Sequence, residues 1–419
     1  MSYQRRTTCR LCGETSLRAF LDFGPMPLAN AFLRTTQDFA GERAYPLQAC
    51  LCDGCGFVQT PDVVDAVTLF EHGPYLTGVS REMVAHFRAL ARRVVERLGL
   101  VPGDRVIEVG SNDGTLLECF RGEGVLVLGV EPARPAAEAA RRRGIETVER
   151  FFDQPVAGSL RHDRGGARAV IACNVLAHVD RPLEFLAACR TLVEGVAGGS
   201  GSGEVVVEVP WLGDLLERLE YDTIYHEHLG YFSATALLRL FWEAGFAVDH
   251  LEHVPVHGGS LRAWASLRKG PRSHAESASE WTDRERVLGL ASFERLERFA
   301  GEVEENRKAL VRLLKTLKKG GASIAACGAP AKSTTLLNHA RIDTGLVAFT
   351  VDRNPVKVGA LTPGMHLPVL AVAALEERRP DYALLLAWNL EDEMREQHAG
   401  WLAKGGKLIR PIPRPEVLP

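Results

Sequence analysis

The sequence has no hydrophobic run long enough to cross a bilayer. Stretches such as Val125 to Val130 are short, against the roughly 20 apolar residues that a spanning helix needs. The opening segment, Met1 to Arg10, has no apolar core of the kind a secretory leader requires. An excess of charge of one sign is also missing. Fifty Lys and Arg stand against 53 Asp and Glu, a net charge of -3. That balance argues against a nucleic-acid binder built on a broad basic surface, so neither nucleic acid nor membrane is expected as a partner. The nine cysteines are an odd number in a chain without a leader. They point to a reducing, cytoplasmic setting in which thiols serve metal binding or packing rather than disulfides. What remains is 419 residues, 46% hydrophobic and 25% charged, an ordinary soluble composition. At about 150 residues per domain this is enough for two or three domains.

The cysteines are unevenly spread. Five fall before Gly56, in a region with turn signals at Cys12-Gly13, Asp22-Phe-Gly-Pro25 and Asp53-Gly54, which reads as a small module with little helix. From Val101 the pattern becomes α/β. Apolar runs at Arg105–Val109, Val125–Val130, Ala169–Cys173 and Glu204–Val209 alternate with helical spacing at Thr115–Phe120 and Pro132–Arg143, which predicts a parallel sheet. Gly195 to Gly203 is low in complexity and reads as a surface loop. Residues Pro271 to Lys319 are charged and helical in period, with Glu302–Lys319 expected to be a solvent-facing helix or connector. A second α/β pattern follows, with strands expected at Ala322–Ala326, Leu346–Val351 and Tyr382–Ala387 and a helix at Ser333–His339.

Cys9-x-x-Cys12 and Cys52-x-x-Cys55 form two knuckles, each followed by glycine. Four thiolates match tetrahedral zinc, and a closed four-cysteine site leaves no open position for catalysis. The metal is therefore read as structural. Cys50 competes with Cys52, but Cys50-x-Cys52 has the wrong spacing for a knuckle.

Glu108-Val-Gly110-Ser-Asn112-Asp113-Gly114 joins a strand to a helix. Such a turn lets a ligand approach backbone N–H groups. Glu131 ends the next strand, where a carboxylate can hold ribose hydroxyls. The dinucleotide pattern GxGxxG is absent. The ExGxxxG form resembles motif I of S-adenosylmethionine (SAM) methyltransferases, with Asn112 in place of the usual middle glycine; an ordinary strand-to-helix turn is the other reading. Asn174-Val-Leu-Ala-His178-Val-Asp-Arg-Pro182 follows the fourth element of the pattern, where SAM enzymes place residues facing the substrate. His178 alone would equally suit a surface histidine.

Tyr221-Asp-Thr-Ile-Tyr225-His226-Glu227-His228-Leu-Gly-Tyr231-Phe232 is the most unusual stretch. It lacks the i, i+4 histidines of a helical zinc protease site. A titratable cluster of this kind suits general acid–base chemistry near neutral pH; a polar turn with one satisfied histidine is the alternative.

These segments, in order with His257-Gly-Gly-Ser-Leu-Arg262, Gly328-Ala-Pro-Ala-Lys332 and Asp352-Arg-Asn-Pro-Val-Lys357, resemble the zinc-containing sugar C-methyltransferases of bacterial deoxysugar biosynthesis over nearly the full length. The resemblance implies a zinc module (1–68), a SAM-binding Rossmann-type domain (69–268) and a C-terminal Rossmann-like domain that helps hold a nucleotide-sugar (269–419). SAM would lie on Glu108, Gly110, Asn112, Asp113, Gly114, Glu131 and Asn174. The resemblance implies His228 as general base, with Tyr225 and Glu227 near it, Asn174 and His178 lining the sugar site, and Tyr75 contributing. His226, Lys332, Asn338, Asp352, Asn354 and Lys357 are expected on the substrate side. The implied substrate is a dTDP-4-keto-deoxysugar, methylated beside the ketone, at C-3 or alternatively at C-5. Competing readings are a small-molecule O- or N-methyltransferase, a zinc-ribbon adaptor and an NAD reductase. The adaptor leaves the Tyr-His-Glu-His stretch without a role, and the last has no second phosphate-loop glycine after Cys327.

Overall fold

The computed structural model describes residues 3–70, 77–196, 203–256, 258–268, 270 and 276–419. Tyr75 and most of the glycine-rich 195–203 segment lie outside the described residues. Among the described residues three larger sheets organise the chain, beside a two-stranded pair of Tyr3–Arg5 with Asp62–Val64. The central one has seven strands, in spatial order Phe246–Val254, Ser260–Leu267, Glu204–Pro210, Ala169–Cys173, Arg105–Val109, Leu126–Val130 and Thr147–Val148. The last five run parallel, as the alternating pattern predicts. The first two are antiparallel and escape that pattern. Their runs are broken by charge: Glu252 and Arg262 lie on them, and Arg262 donates to Glu208 of the adjoining strand at 2.7 Å. A buried ion pair inside a sheet does not register as an apolar run.

The C-terminal sheet has the order Val369–Ala371, Thr350–Asp352, Ile324–Cys327, Tyr382–Leu385, Lys407–Arg410 and Glu416–Val417, parallel except for the last. The strand expected at Leu346–Val351 is confined to Thr350–Asp352. In both sheets the strand order reverses at the first strand, Arg105–Val109 in one and Ile324–Cys327 in the other. Loops beyond the carboxyl ends of such strands diverge and leave a crevice.

The N-terminal sheet is antiparallel: Leu17–Pro27, Ala44–Cys52 and Val58–Gln59. Its fourth strand is Gly230–Tyr231, paired with Val58–Gln59. The residues after the Tyr-His-Glu-His stretch thus complete a sheet begun near the start of the chain, at Leu17.

The expectation of a solvent-facing helix at 302–319 needs correction. The helix runs from Phe293 to Lys319, starting at the Ser292 cap, and buries Leu296, Phe299, Val303, Asn306, Leu310 and Leu314. These positions recur every three or four residues and form one stripe, packed on the N-terminal sheet and on the helix Ser333–Ala340. Dense charge on the other faces hides the stripe in the sequence. Among the described residues no helix is long and apolar enough to cross a membrane.

Candidate functional site

The four knuckle cysteines converge. The sulfurs of Cys9, Cys12, Cys52 and Cys55 all lie within 4.8 Å of one another, with Cys9–Cys55 at 3.6 Å and Cys12–Cys52 at 3.5 Å. Each knuckle closes on its glycine: Gly13 N–H donates to the Cys9 carbonyl and Gly56 N–H to that of Cys52. Both glycines have left-handed backbones, φ 78° and 73°, which side chains disfavour. The thiols do not share protons evenly. The hydrogen bond from Cys55 holds Cys9 far below the usual thiol range and pushes Cys55 far above it. A four-sulfur set of this size fits tetrahedral zinc, which binds all four as thiolates. Cys50 is outside the group; burial pushes its thiol up to about 11.

The crevice of the central sheet opens beyond Val109 and Cys173. Glu108 is buried there, its Oε2 has no partner among the described residues, and desolvation raises its carboxyl well above the usual range. Gly110 has φ 68°, and a Cβ on it would collide with the Val175 side chain. Glu131 accepts from the N–H groups of Asn112 and Ala133, each at 2.8 Å, so it shapes the glycine loop directly. Asn174 also sits in a left-handed backbone, φ 57°, with its amide oxygen unpartnered among the described residues. A buried carboxylate and an amide oxygen without partners beside a loop that excludes side chains fit a polar cofactor, and SAM in particular, whose ammonium and hydroxyls donate. Asn112 and Asp113 have another task. They accept from the backbone N–H groups of Thr77 and Gly78, at 2.8 and 2.9 Å, and so fix the segment leading into the helix Arg81–Leu98. Gly114 caps the helix Thr115–Gly122 from a left-handed backbone.

The histidine cluster lies just before the strand Gly230–Tyr231 of the N-terminal sheet, with His228 against the Tyr231 ring. His228 Nδ1 is 2.7 Å from the Thr223 carbonyl. A carbonyl only accepts, so Nδ1 carries the hydrogen and Nε2 presents a lone pair. Tyr225 Oη lies 3.1 Å from that Nε2. His178 is built the same way, its Nδ1 donating to the Glu227 carbonyl at 2.7 Å, and its ring stands 4.9 Å from that of His228. Burial lowers the His178 pKa and holds the ring neutral. Burial pushes the Glu227 carboxyl up to about 7, against the hydrogen bond from Asn30 Nδ2 (2.7 Å) and the charge of Lys357. His226 points elsewhere: it donates from Nε2 to the Pro46 carbonyl at 3.1 Å and packs on Tyr45.

The C-terminal residues divide. Lys357 is buried, donates to the Ala329 carbonyl at 2.8 Å and faces both Asp352 and Glu227. Asp352 accepts from the N–H groups of Ala329 and Asn354, and Asn354 accepts from Val356 N–H. These three border the second crevice. Asn338 is tied to the Thr334 and Pro363 carbonyls. Lys332 is half-buried: its Nζ donates to Asn389 at 2.5 Å, lies over the Trp388 ring and faces Asp222 and Glu220.

Asn30, Thr335 and Trp388 join the cluster without having been legible beforehand. Asn30 is a single polar residue in an N-terminal loop with no local pattern around it. Asp222 and Thr223 stand inside the stretch that the sequence singles out.

A family model described as a C-methyltransferase C-terminal domain matches residues 255–413. A zinc binding domain matches residues 9–70 and a methyltransferase domain residues 83–251. The chain is 34% identical over 410 residues to the C-methyltransferase NovU of Streptomyces niveus, covering 98% of this chain and 96% of that one. It is 33% identical over 96 residues to a ubiquinone biosynthesis O-methyltransferase of Burkholderia pseudomallei, covering 22% of this chain and 41% of the other. Among solved structures, magnesium protoporphyrin IX methyltransferase from Synechocystis, with bound SAM, aligns at a TM-score of 0.33 and 14% identity, over 44% of this chain and 79% of that one.

Proposed function

The chain belongs to the zinc-containing, SAM-dependent C-methyltransferases, and from that premise we propose that it methylates the carbon next to the ketone of a dTDP-4-keto-deoxysugar, at C-3, in the biosynthesis of an antibiotic-type deoxysugar. The three parts would be a zinc module (1–68), a methyltransferase domain (69–268) and a C-terminal nucleotide-sugar domain (269–419). The observation that carries the reading is the tautomer of His228. Its Nδ1–H is bound to the Thr223 carbonyl, so Nε2 is ready to accept a proton beside Tyr225.

In this mechanism Nε2 of His228 removes the proton α to the ketone. The electron pair moves into the C–C bond to the carbonyl carbon, and negative charge gathers on the ketone oxygen. Tyr225 Oη is placed to donate to that oxygen, which is where a fixed donor matters most; neutral His178, its hydrogen on Nδ1, packs its ring beside that of His228. SAM bound there would supply an electrophilic methyl group to the enolate carbon, its methyl C–S bond breaking so that the sulfonium leaves as neutral S-adenosylhomocysteine. Glu108, Glu131 and Asn174 hold SAM at the first crevice; Gly110 leaves it room, and Asn112, Asp113 and Gly114 set the loop around it. Glu227, with its carboxyl near about 7, adjusts charge against Lys357. Lys357, Asp352 and Asn354 line the path to the second crevice, with Asn338 and Lys332 beside them; His226 steadies the loop.

The test is a panel of dTDP-4-keto-6-deoxy and 2,6-dideoxy sugars incubated with SAM carrying a 13C-methyl group. The expected product shows one-bond carbon–carbon coupling between the label and ring C-3. Coupling to C-5 would move the site of methylation. Label attached through oxygen would replace carbon chemistry by O-methylation.

A further inference from the structure

The Tyr221–Phe232 stretch is gripped from two sides. Its second half belongs to the N-terminal sheet: His226 bonds to the Pro46 carbonyl, and Gly230 and Tyr231 pair with Gln59 and Val58. Its first half is held by the C-terminal part. Tyr221 Oη donates to Asn306 on the long helix at 3.0 Å. Trp388 Nε1 donates to Asp222 at 2.7 Å. The Thr335 hydroxyl donates to the Ile224 carbonyl at 2.8 Å, and that bond is buried.

Ile224 stands between the two groups that define His228. On one side, the Thr223 carbonyl holds Nδ1; on the other, Tyr225 faces Nε2. A rotation at Ile224 would therefore move both contacts at once. Thr335 and Trp388 lie on different elements, the helix Ser333–Ala340 and the turn Trp388–Leu390. Both follow strands of the second crevice, on either side of its switch point.

We infer that Thr335 is a positioning residue for His228, seconded by Trp388 through Asp222, and that the C-terminal part sets the geometry of the base as well as holding substrate. The inference rests on His228 being the base. Lys332 adjoins this arrangement, its ammonium bonded to Asn389 and facing Asp222. A hydroxyl is needed at position 335; its methyl group is not.

The experiment compares Thr335→Val, Thr335→Ser, Trp388→Phe and His228→Asn in the full-length, zinc-loaded protein. The sugar is whichever panel member accepts label. Read out are kcat and KM for methyl transfer, deuterium entry at the α-carbon in deuterated water, SAM affinity and thermal midpoint. In Thr335→Val, kcat and deuterium entry should fall together by about tenfold or more, the scale of a misplaced catalytic group. KM for the sugar and SAM affinity should stay near wild type. Thr335→Ser should restore both rates, and Trp388→Phe should show a milder version of the same loss. If Thr335→Val does not fold, Trp388→Phe decides by the same criterion. Unchanged kcat and exchange, a rise in KM alone, or a loss that Thr335→Ser fails to repair would overturn the inference. Should His228→Asn keep its exchange, the base assignment itself fails; should only the Thr335 and Trp388 variants keep theirs, the base stands and the positioning role falls.

Discussion

Replacing His228 with asparagine is expected to reduce methyl transfer by about a thousandfold, within the span that general bases contribute. SAM affinity should be retained. Asparagine's Nδ2 still reaches toward the Thr223 carbonyl that now holds His228 Nδ1 at 2.7 Å, so the loop keeps an anchor. What disappears is the lone pair at Nε2. Because the proton moves only on the way to the transition state, the loss falls on kcat and not on ground-state binding. The crevice proposed for SAM, around Glu108, Gly110 and Glu131, lies elsewhere, and isothermal titration with SAM should give a wild-type affinity. Full turnover in this variant would remove His228 from the chemistry and return attention to Glu227, whose carboxyl is pushed up to about 7.

The second large effect follows from the strand Gly230–Tyr231. Cys12→Ser should release zinc, measured by atomic absorption, and methyl transfer should disappear with it. The sulfurs of Cys9, Cys12, Cys52 and Cys55 close a single group, and structural zinc of this kind contributes about 10 kcal/mol or more to folding of its module. Without it the sheet Leu17–Pro27, Ala44–Cys52 and Val58–Gln59 loses its covalent staple. That sheet pairs with Gly230–Tyr231, holds His226 through Pro46 and reaches Glu227 through Asn30. The metal thus acts on activity through the loop that carries His228. SAM affinity should survive, since none of the strands that build the first crevice belongs to the zinc module. Retained zinc with three cysteines and a serine would point to a different ligand set.

The parts of this molecule that could be read in advance are those with local signatures. The doubled Cys-x-x-Cys spacing named the four ligands. Glu108, Gly110 and Glu131 declared the first crevice because strand, loop and acidic residue follow one another closely in the chain. The Tyr-His-Glu-His stretch declared itself by composition. What stayed hidden depends on distant pairing. Asn30 meets Glu227, and Thr335 meets Ile224, across separations that no periodicity records. The antiparallel strands Phe246–Val254 and Ser260–Leu267 were hidden by internal ion pairs, and the stripe of the helix Phe293–Lys319 by its charged faces. Lys332 illustrates the same point: its sequence context gives no sign that its ammonium meets Asn389, the Trp388 ring and Asp222.

The most direct measurement is mass spectrometry of the recovered nucleotide-sugar after incubation in deuterated water, with wild type and His228→Asn, with and without SAM. Carbon methylation through an enolate predicts a gain of one methyl group with SAM. It also predicts deuterium at the α-carbon of recovered substrate in the wild type, and loss of both in the variant. Methyl gain by the wild type with the α-hydrogen fully retained would contradict it, because the methyl would then sit on a heteroatom.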